Sequence, residues 1–237
     1  MSTRLLALGA LAVATAALPA GAQLAPAAGD TAARRAGGGA TLVYAQPLGD
    51  FKNNVNGGGG GAGHLLVRIG ASGALALRVD AAFLVYGHER LRVMVPFTNR
   101  IRYDVTTNNN IVTAGVGPQL MVPSGPVRPY VNGSVGLAYF FTQSSLSAGD
   151  GGESFAPTTN LDDANLAYTG GGGFYVPLGS WRHPILLDVG AQYHNNGRAE
   201  YLTEASFPDD PESTAEPVPI HSKADFMTYH LGISVGF

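Results

Sequence analysis

Residues 224–237 read ADFMTYHLGISVGF, and the rest of the chain is arranged so that this segment can close a ring of strands. Met227, Tyr229, Leu231, Ile233, Val235 and Phe237 recur at period two, with Thr228, His230, Gly232, Ser234 and Gly236 between them. One face is apolar and the other small or polar. A half-buried strand of a soluble sheet and a lipid-facing strand both give this alternation. Length favours lipid: a tilted strand crosses a hydrocarbon layer in about 9–11 residues.

Working outward, the 237-residue chain holds 33 glycines and no cysteine, and only 13% of its residues are charged. Without cysteine there is neither a disulfide framework nor thiolate chemistry. So few charges leave a chain poorly soluble unless much of its surface meets something apolar. A net charge of −3 with no basic stripe argues against a nucleic-acid partner.

Residues 1–22 read as a secretory signal peptide: Arg4, an apolar run over residues 5–18, then Ala20, Gly21 and Ala22 before cleavage after Ala22. The run is too short for a spanning helix, which needs roughly 18 residues or more. Residues 23–39, rich in Ala and Gly, read as a disordered lead, and residues 40–237 as one β domain.

Eight segments with strand character follow. The first, over residues 40–51, alternates least clearly, and the glycine run 57–61 after it has the composition of a linker. The second sets Leu65, Val67 and Ile69 against His64 and Arg68. The third sets Leu75, Leu77, Val79 and Phe83 against Arg78 and Asp80 and runs on to a turn centred near Thr98. The fourth sets Val112, Val116 and Leu120 against Thr113, Gly117 and Gln119, with a register break at Asn108, Asn109 and Asn110. The fifth covers residues 129–142 and the sixth 165–178, separated by a long polar loop at 144–163. The seventh, over 184–194, sets Leu187, Val189 and Tyr193 against Asp188, Gln192 and His194, and an acidic, proline-rich loop at 195–223 leads to the last.

Connections therefore alternate long and short, with short turns at 72–73, 123–126 and 179–183, the last carrying Trp181 at the expected membrane boundary. The fold class expected is all-β: an eight-stranded antiparallel up-and-down transmembrane β-barrel with both termini on the short-turn, periplasmic side. A β-sandwich has no reason to segregate loop lengths so regularly.

The closing strand, ending on Phe237, resembles that of the small outer-membrane β-barrels of the OmpA-like type. The stretch VGPQLMVPSGPVRPYVNGSVGLAYFFT, residues 116–142, resembles the middle hairpin of the outer-membrane β-barrel domain family. The resemblance implies residence in the outer membrane, contact with its lipid, a monomer, and recognition of the last strand by the outer-membrane assembly machinery.

Eight strands leave a lumen just wide enough for side chains. A polar lumen network is expected from His64, Arg68, Arg78, Asp80, Gln119, Asp188, Gln192 and His230, with Asp188 within reach of Arg78 or Arg68. Separately solvated charges are the alternative. Arg90, Arg92, Arg100 and Arg102 on the second long loop either neutralise the acidic loops or meet lipopolysaccharide phosphates, which guanidinium forks suit. The carboxylates at 150–153 lack the ligand spacing of a Ca²⁺ loop, and no motif calls for a cofactor. His194 with Glu200 lacks a nearby serine, and His230 with Ser234 has the wrong spacing, so catalysis is not expected. A non-catalytic structural or surface barrel is favoured over a narrow channel or small-molecule carrier, with a lipid A-modifying enzyme behind both.

Overall fold

The structure is a computed structural model, and it describes residues 36–94, 102–148, 154–179, 185–203, 206 and 218–236. The signal peptide, residues 23–35 of the lead, Arg100, Trp181 and Phe237 lie outside the described residues.

Eight strands form one closed antiparallel barrel: β1 (Ala36–Pro47), β2 (Gly58–Ile69), β3 (Leu75–Met94), β4 (Arg102–Met121), β5 (Arg128–Ala148), β6 (Ser154–Pro177), β7 (Ile185–Asn195) and β10 (Phe226–Val235). A short hairpin, β8 (Arg198–Tyr201) with β9 (Ile220–Lys223), sits in the last loop. A one-and-a-half-turn helix, α1 (Gly49–Asn54), follows β1. The seam closes where β1 meets β10, from Gly38 opposite Val235 to Pro47 opposite Phe226.

The faces fall as the period-two pattern predicts. Leu65, Leu77, Val116, Leu137, Leu166, Val189 and Leu231 point outward and are exposed, while Arg78, Gln119, Asp188, Thr228 and His230 point inward and are buried. Tyr44, Tyr168, Tyr193 and Tyr229 lie on the outside towards the long-loop end. Tyr44 and Tyr229 stack across the seam with centroids 6.5 Å apart, and Tyr193 donates its hydroxyl hydrogen to Asp225 at 3.1 Å. Rings with one wet end suit a membrane-water boundary.

Strand ends differ from expectation in three places. β1 starts at Ala36, so the last four residues of the expected disordered lead are strand, and it stops at Pro47 before α1. The small residues there have a steric reason: a Cβ on Gly39 would run into Ser234 and lie 2.6 Å from the His64 ring in the lumen. The glycine run is not a linker, since Gly58 to Gly61 pair with Ala45 to Leu42 on one side and Gly59 to Gly61 pair with Val85 to Phe83 on the other. β5 and β6 run on through most of the expected polar loop at 144–163, where Phe141 lies opposite Asp162 and Ser147 opposite Ser154. Four neighbouring strands, β3 to β6, thus reach beyond the apolar belt. Met94 lies opposite Arg102, the expected turn at Thr98 itself lies outside the described residues, and the register shifts between Val85 and Gly87, opposite Asn110 and Asn109.

Candidate functional site

Side chains fill the barrel in three layers. Nearest the short turns, Leu66, Ala76, Met121, Tyr130, Tyr175 and Leu186 form an apolar layer. Above it lie the polar groups. A second apolar cluster closes the long-loop end, built on Phe51, Leu84, Tyr86, Ile111, Phe140, Tyr201 and Phe226.

The polar layer divides into two circuits. Arg78 donates from Nε to Asp80 Oδ1 at 2.6 Å and from Nη1 to Gln119 Oε1 at 2.9 Å, and Gln119 Nε2 donates to the Tyr175 hydroxyl at 3.4 Å. Arg78 and Asp80 are two residues apart on one strand, so both side chains point into the lumen together. In the other circuit, Tyr130 donates its single proton to Asp188 Oδ1 at 2.8 Å. His230 Nε2 lies 2.9 Å from the same phenol oxygen, so that nitrogen must carry the hydrogen. His194 bridges Thr169 at 3.3 Å and Thr228 at 3.0 Å and stacks on Phe226.

The expected cross-lumen pair is not formed. Asp188 is held by Tyr130 and faces His230 at 3.5 Å and His64 at 3.9 Å, while Arg78 is committed to Asp80 and Gln119. The stacked rings of Tyr130 and Tyr175, 4.5 Å apart, fill the neighbouring space. Arg68 is half-buried and lies against the short turn at Gly73. Gln192 is buried on β7 and lines an internal cavity of about 40 Å³ with His64, Arg78, Asp80, His194 and His230. Arg90, Arg92 and Arg102 stand on β3 and β4 beyond the belt, and their side chains, like all of Arg100, lie outside the described residues.

Sequence spacing missed one serine-histidine contact. Ser234 Oγ lies 3.2 Å from His64 Nε2, and the other ring nitrogen faces Asp188 at 3.9 Å. Residue types and order match a hydrolytic triad, yet 3.9 Å is too long for a hydrogen bond to the acid. Ser234 is also wholly buried, directly opposite Leu186 of the apolar layer nearest the short turns. Among the described residues no group of three or more His, Asp or Glu residues is placed to hold a metal ion.

The plug at the long-loop end was also not legible as a plug. Leu48 N–H donates to the Asp225 carbonyl at 2.9 Å, which turns α1 inward. Phe51 is then buried, with its ring 5.0 Å from Tyr201, 5.6 Å from Tyr86 and 6.4 Å from Phe140. Asn54 donates to the Tyr201 hydroxyl at 3.1 Å, tying α1 to the β8–β9 hairpin over the barrel. Burying such a ring contributes about 2 kcal/mol or more, enough to keep the plug seated.

Fold and lumen together define a small closed β-barrel, apolar outside and plugged at both ends. Among the described residues no helix is long and apolar enough to cross a membrane, which says nothing about crossing by strands. No family model matches the sequence, and no curated protein matches it. Solved structures similar to it include Neisserial surface protein A (NspA), 14% identical, with a TM-score of 0.43 over 85% of this chain and 97% of that one. Ail, the attachment invasion locus protein of Yersinia pestis, in complex with the heparin analogue sucrose octasulfate, is 13% identical, with a TM-score of 0.42 over 86% of this chain and 99% of that one. A second structure of Ail is 15% identical, with a TM-score of 0.41 over the same shares of 86% and 99%. The fold assignment rests on the chain's own strand pairing.

Proposed function

We propose that this protein is a non-catalytic integral barrel of the bacterial outer membrane, a scaffold that carries long strands and loops to the cell surface. One observation carries the reading: exposed apolar side chains cover the outer face of all eight strands while polar groups are turned inward. A soluble monomer rarely exposes a contiguous apolar patch beyond a few hundred Å², and an apolar band around a closed barrel has lipid as its natural solvent. β1, β2, β7 and β10 hold 12, 12, 11 and 10 residues, the length a tilted strand needs to span. The signal peptide supplies export, the C-terminal segment that includes β10 is offered to the assembly machinery, and the barrel acts as a monomer. The arginines at 90, 92, 100 and 102 contact lipopolysaccharide phosphates.

The test is a gel of the membrane fraction, unheated against boiled. A closed barrel should migrate faster unheated and should need detergent for extraction. A mature polypeptide that stays monomeric in buffer without detergent would remove the basis for the proposal.

Leu231→Arg places a charge at mid-strand on the outer face. In lipid it should cost about 2–4 kcal/mol of stability, read as a fall in the urea midpoint of the shifted band. On a water-exposed sheet the same change should stay within about 0.5 kcal/mol, which would contradict a lipid-facing belt.

The two apolar layers also predict transport behaviour. Purified protein in a planar bilayer is expected to show no conductance steps above those of protein-free controls. Regular ion-conducting steps would instead support the narrow-channel reading.

A further inference from the structure

Where α1, β3 and the last loop meet, a cavity of about 190 Å³ opens beside the plug, lined by Asn54, Val55, Asn56, Tyr86, Gly87, His88, Asn109 and Thr203. Asn54, Asn56 and His88 are exposed, so the cavity communicates with the solvent at the long-loop end. We propose that this cavity binds a single neutral sugar unit presented at the cell surface. The proposal rests on the membrane orientation argued above.

The lining is the reason. Among the described residues it combines carboxamides, an imidazole and a hydroxyl with an apolar floor from Val55 and Tyr86, and none of these is a carboxylate, lysine or arginine. Such a set satisfies vicinal hydroxyls and offers a phosphate or sulfate no counter-charge. The size sets an upper bound, since pockets for drug-sized molecules run to roughly 300–1,000 Å³.

Local structure aims these groups. The β-bulge between Val85 and Gly87 breaks the strand at the cavity wall, as bulges beside binding sites do. Thr142 donates its hydroxyl hydrogen to Asn109 Oδ1 at 2.6 Å, which turns the other end of that amide, Nδ2, over Gly87. Gly87 leaves room for this amide, because a Cβ there would lie 2.7 Å from Nδ2 and the amide would have to shift. Asn54 spends its Nδ2 on Asp50 and Tyr201, leaving its carbonyl oxygen as an acceptor. His88 Nδ1 is engaged with Asn108 at 2.6 Å, and Nε2 is the remaining ring nitrogen.

Thr203 is the second, independent observation. It is 6% exposed, its backbone is fixed by a pair of hydrogen bonds with Ser206, and its hydroxyl is buried without a hydrogen-bond partner. A buried hydroxyl left unpaired costs free energy, and because Thr203 lines the cavity, a bound group reaching the hydroxyl after a small shift of the lining would relieve that cost.

That same orphan hydroxyl makes Thr203→Val a clean test, because the change removes no bond the folded protein makes. Refolded protein in detergent, checked by the gel shift, is titrated calorimetrically with glucose, galactose and N-acetylglucosamine, with sodium sulfate as the anionic control. Saturable binding of at least one sugar is expected, undisturbed by sulfate and weakened about tenfold in Thr203→Val, the loss of one buried hydrogen bond. Binding of none of the three to the shifted band, equal binding by the variant, or displacement by sulfate would each overturn the site and leave the barrel reading standing. Absence of the gel shift itself would overturn both.

Discussion

Cells producing the Gly136→Val protein are expected to yield no heat-modifiable band. Gly136 stands on the lumen face of β5, opposite Gly115 on β4. A Cβ on Gly136 would collide with the Ala114 carbonyl oxygen and lie 2.6 Å from the Gly115 Cα. Both obstacles are backbone, so no rotamer change relieves the clash, and the two strands must part to admit the side chain. Parting them breaks ladder hydrogen bonds, which the hydrocarbon of the proposed membrane setting would not replace, and in a ring no free edge absorbs the movement. Gly136→Ala already adds that Cβ and should reduce the band sharply. Val135→Ala, one residue away on the outer face, should leave it intact. A normal shift for Gly136→Val would show that the wall at β4 and β5 is looser than the pairing implies.

The faces of the strands were legible in the sequence because the outer face and the lumen of a closed barrel carry opposite kinds of side chain on successive residues. Leu75 to Asp80 carry that pattern without a break, and the pairing of β3 with β4 continues to Met94 opposite Arg102. The ends were not legible where the pattern stops. Along residues 154–165 of β6, SFAPTTNLDDAN, the apolar alternation lapses in the sequence although the ladder to β5 continues. Phe51 misled for the opposite reason. An apolar residue soon after a strand reads as its continuation, and its partners Tyr86, Phe140, Tyr201 and Phe226 come from four distant points of the chain. The lumen was half legible. Arg78 and Asp80 share a face by spacing, but whether Arg78 would reach across to Asp188 depended on Tyr130 and Tyr175, whose place between them no local pattern announces.

Arg78→Leu should therefore act through Asp80 and not through Asp188. The variant removes the donors at 2.6 Å from Asp80 and 2.9 Å from Gln119, leaving a carboxylate and an amide oxygen in the lumen without them. Removing one partner of a buried ion pair costs about 3–5 kcal/mol, because the remaining charge keeps its desolvation penalty and loses the attraction that offset it. The Asp80 side chain is 18% exposed and borders the cavity of about 40 Å³, which has room for a few water molecules, so the lower end of that range is expected. Urea unfolding of the refolded barrel, followed by the gel shift, supplies the number. The double variant Arg78→Leu with Asp80→Leu should recover most of the loss, since removing both charges also removes the penalty. Recovery by Asp188→Leu instead would show that Arg78 answers to the carboxylate across the lumen. A loss below about 1 kcal/mol in the single variant would mean that water already solvates Asp80, and the middle layer would then be a wet chamber between two dry plugs.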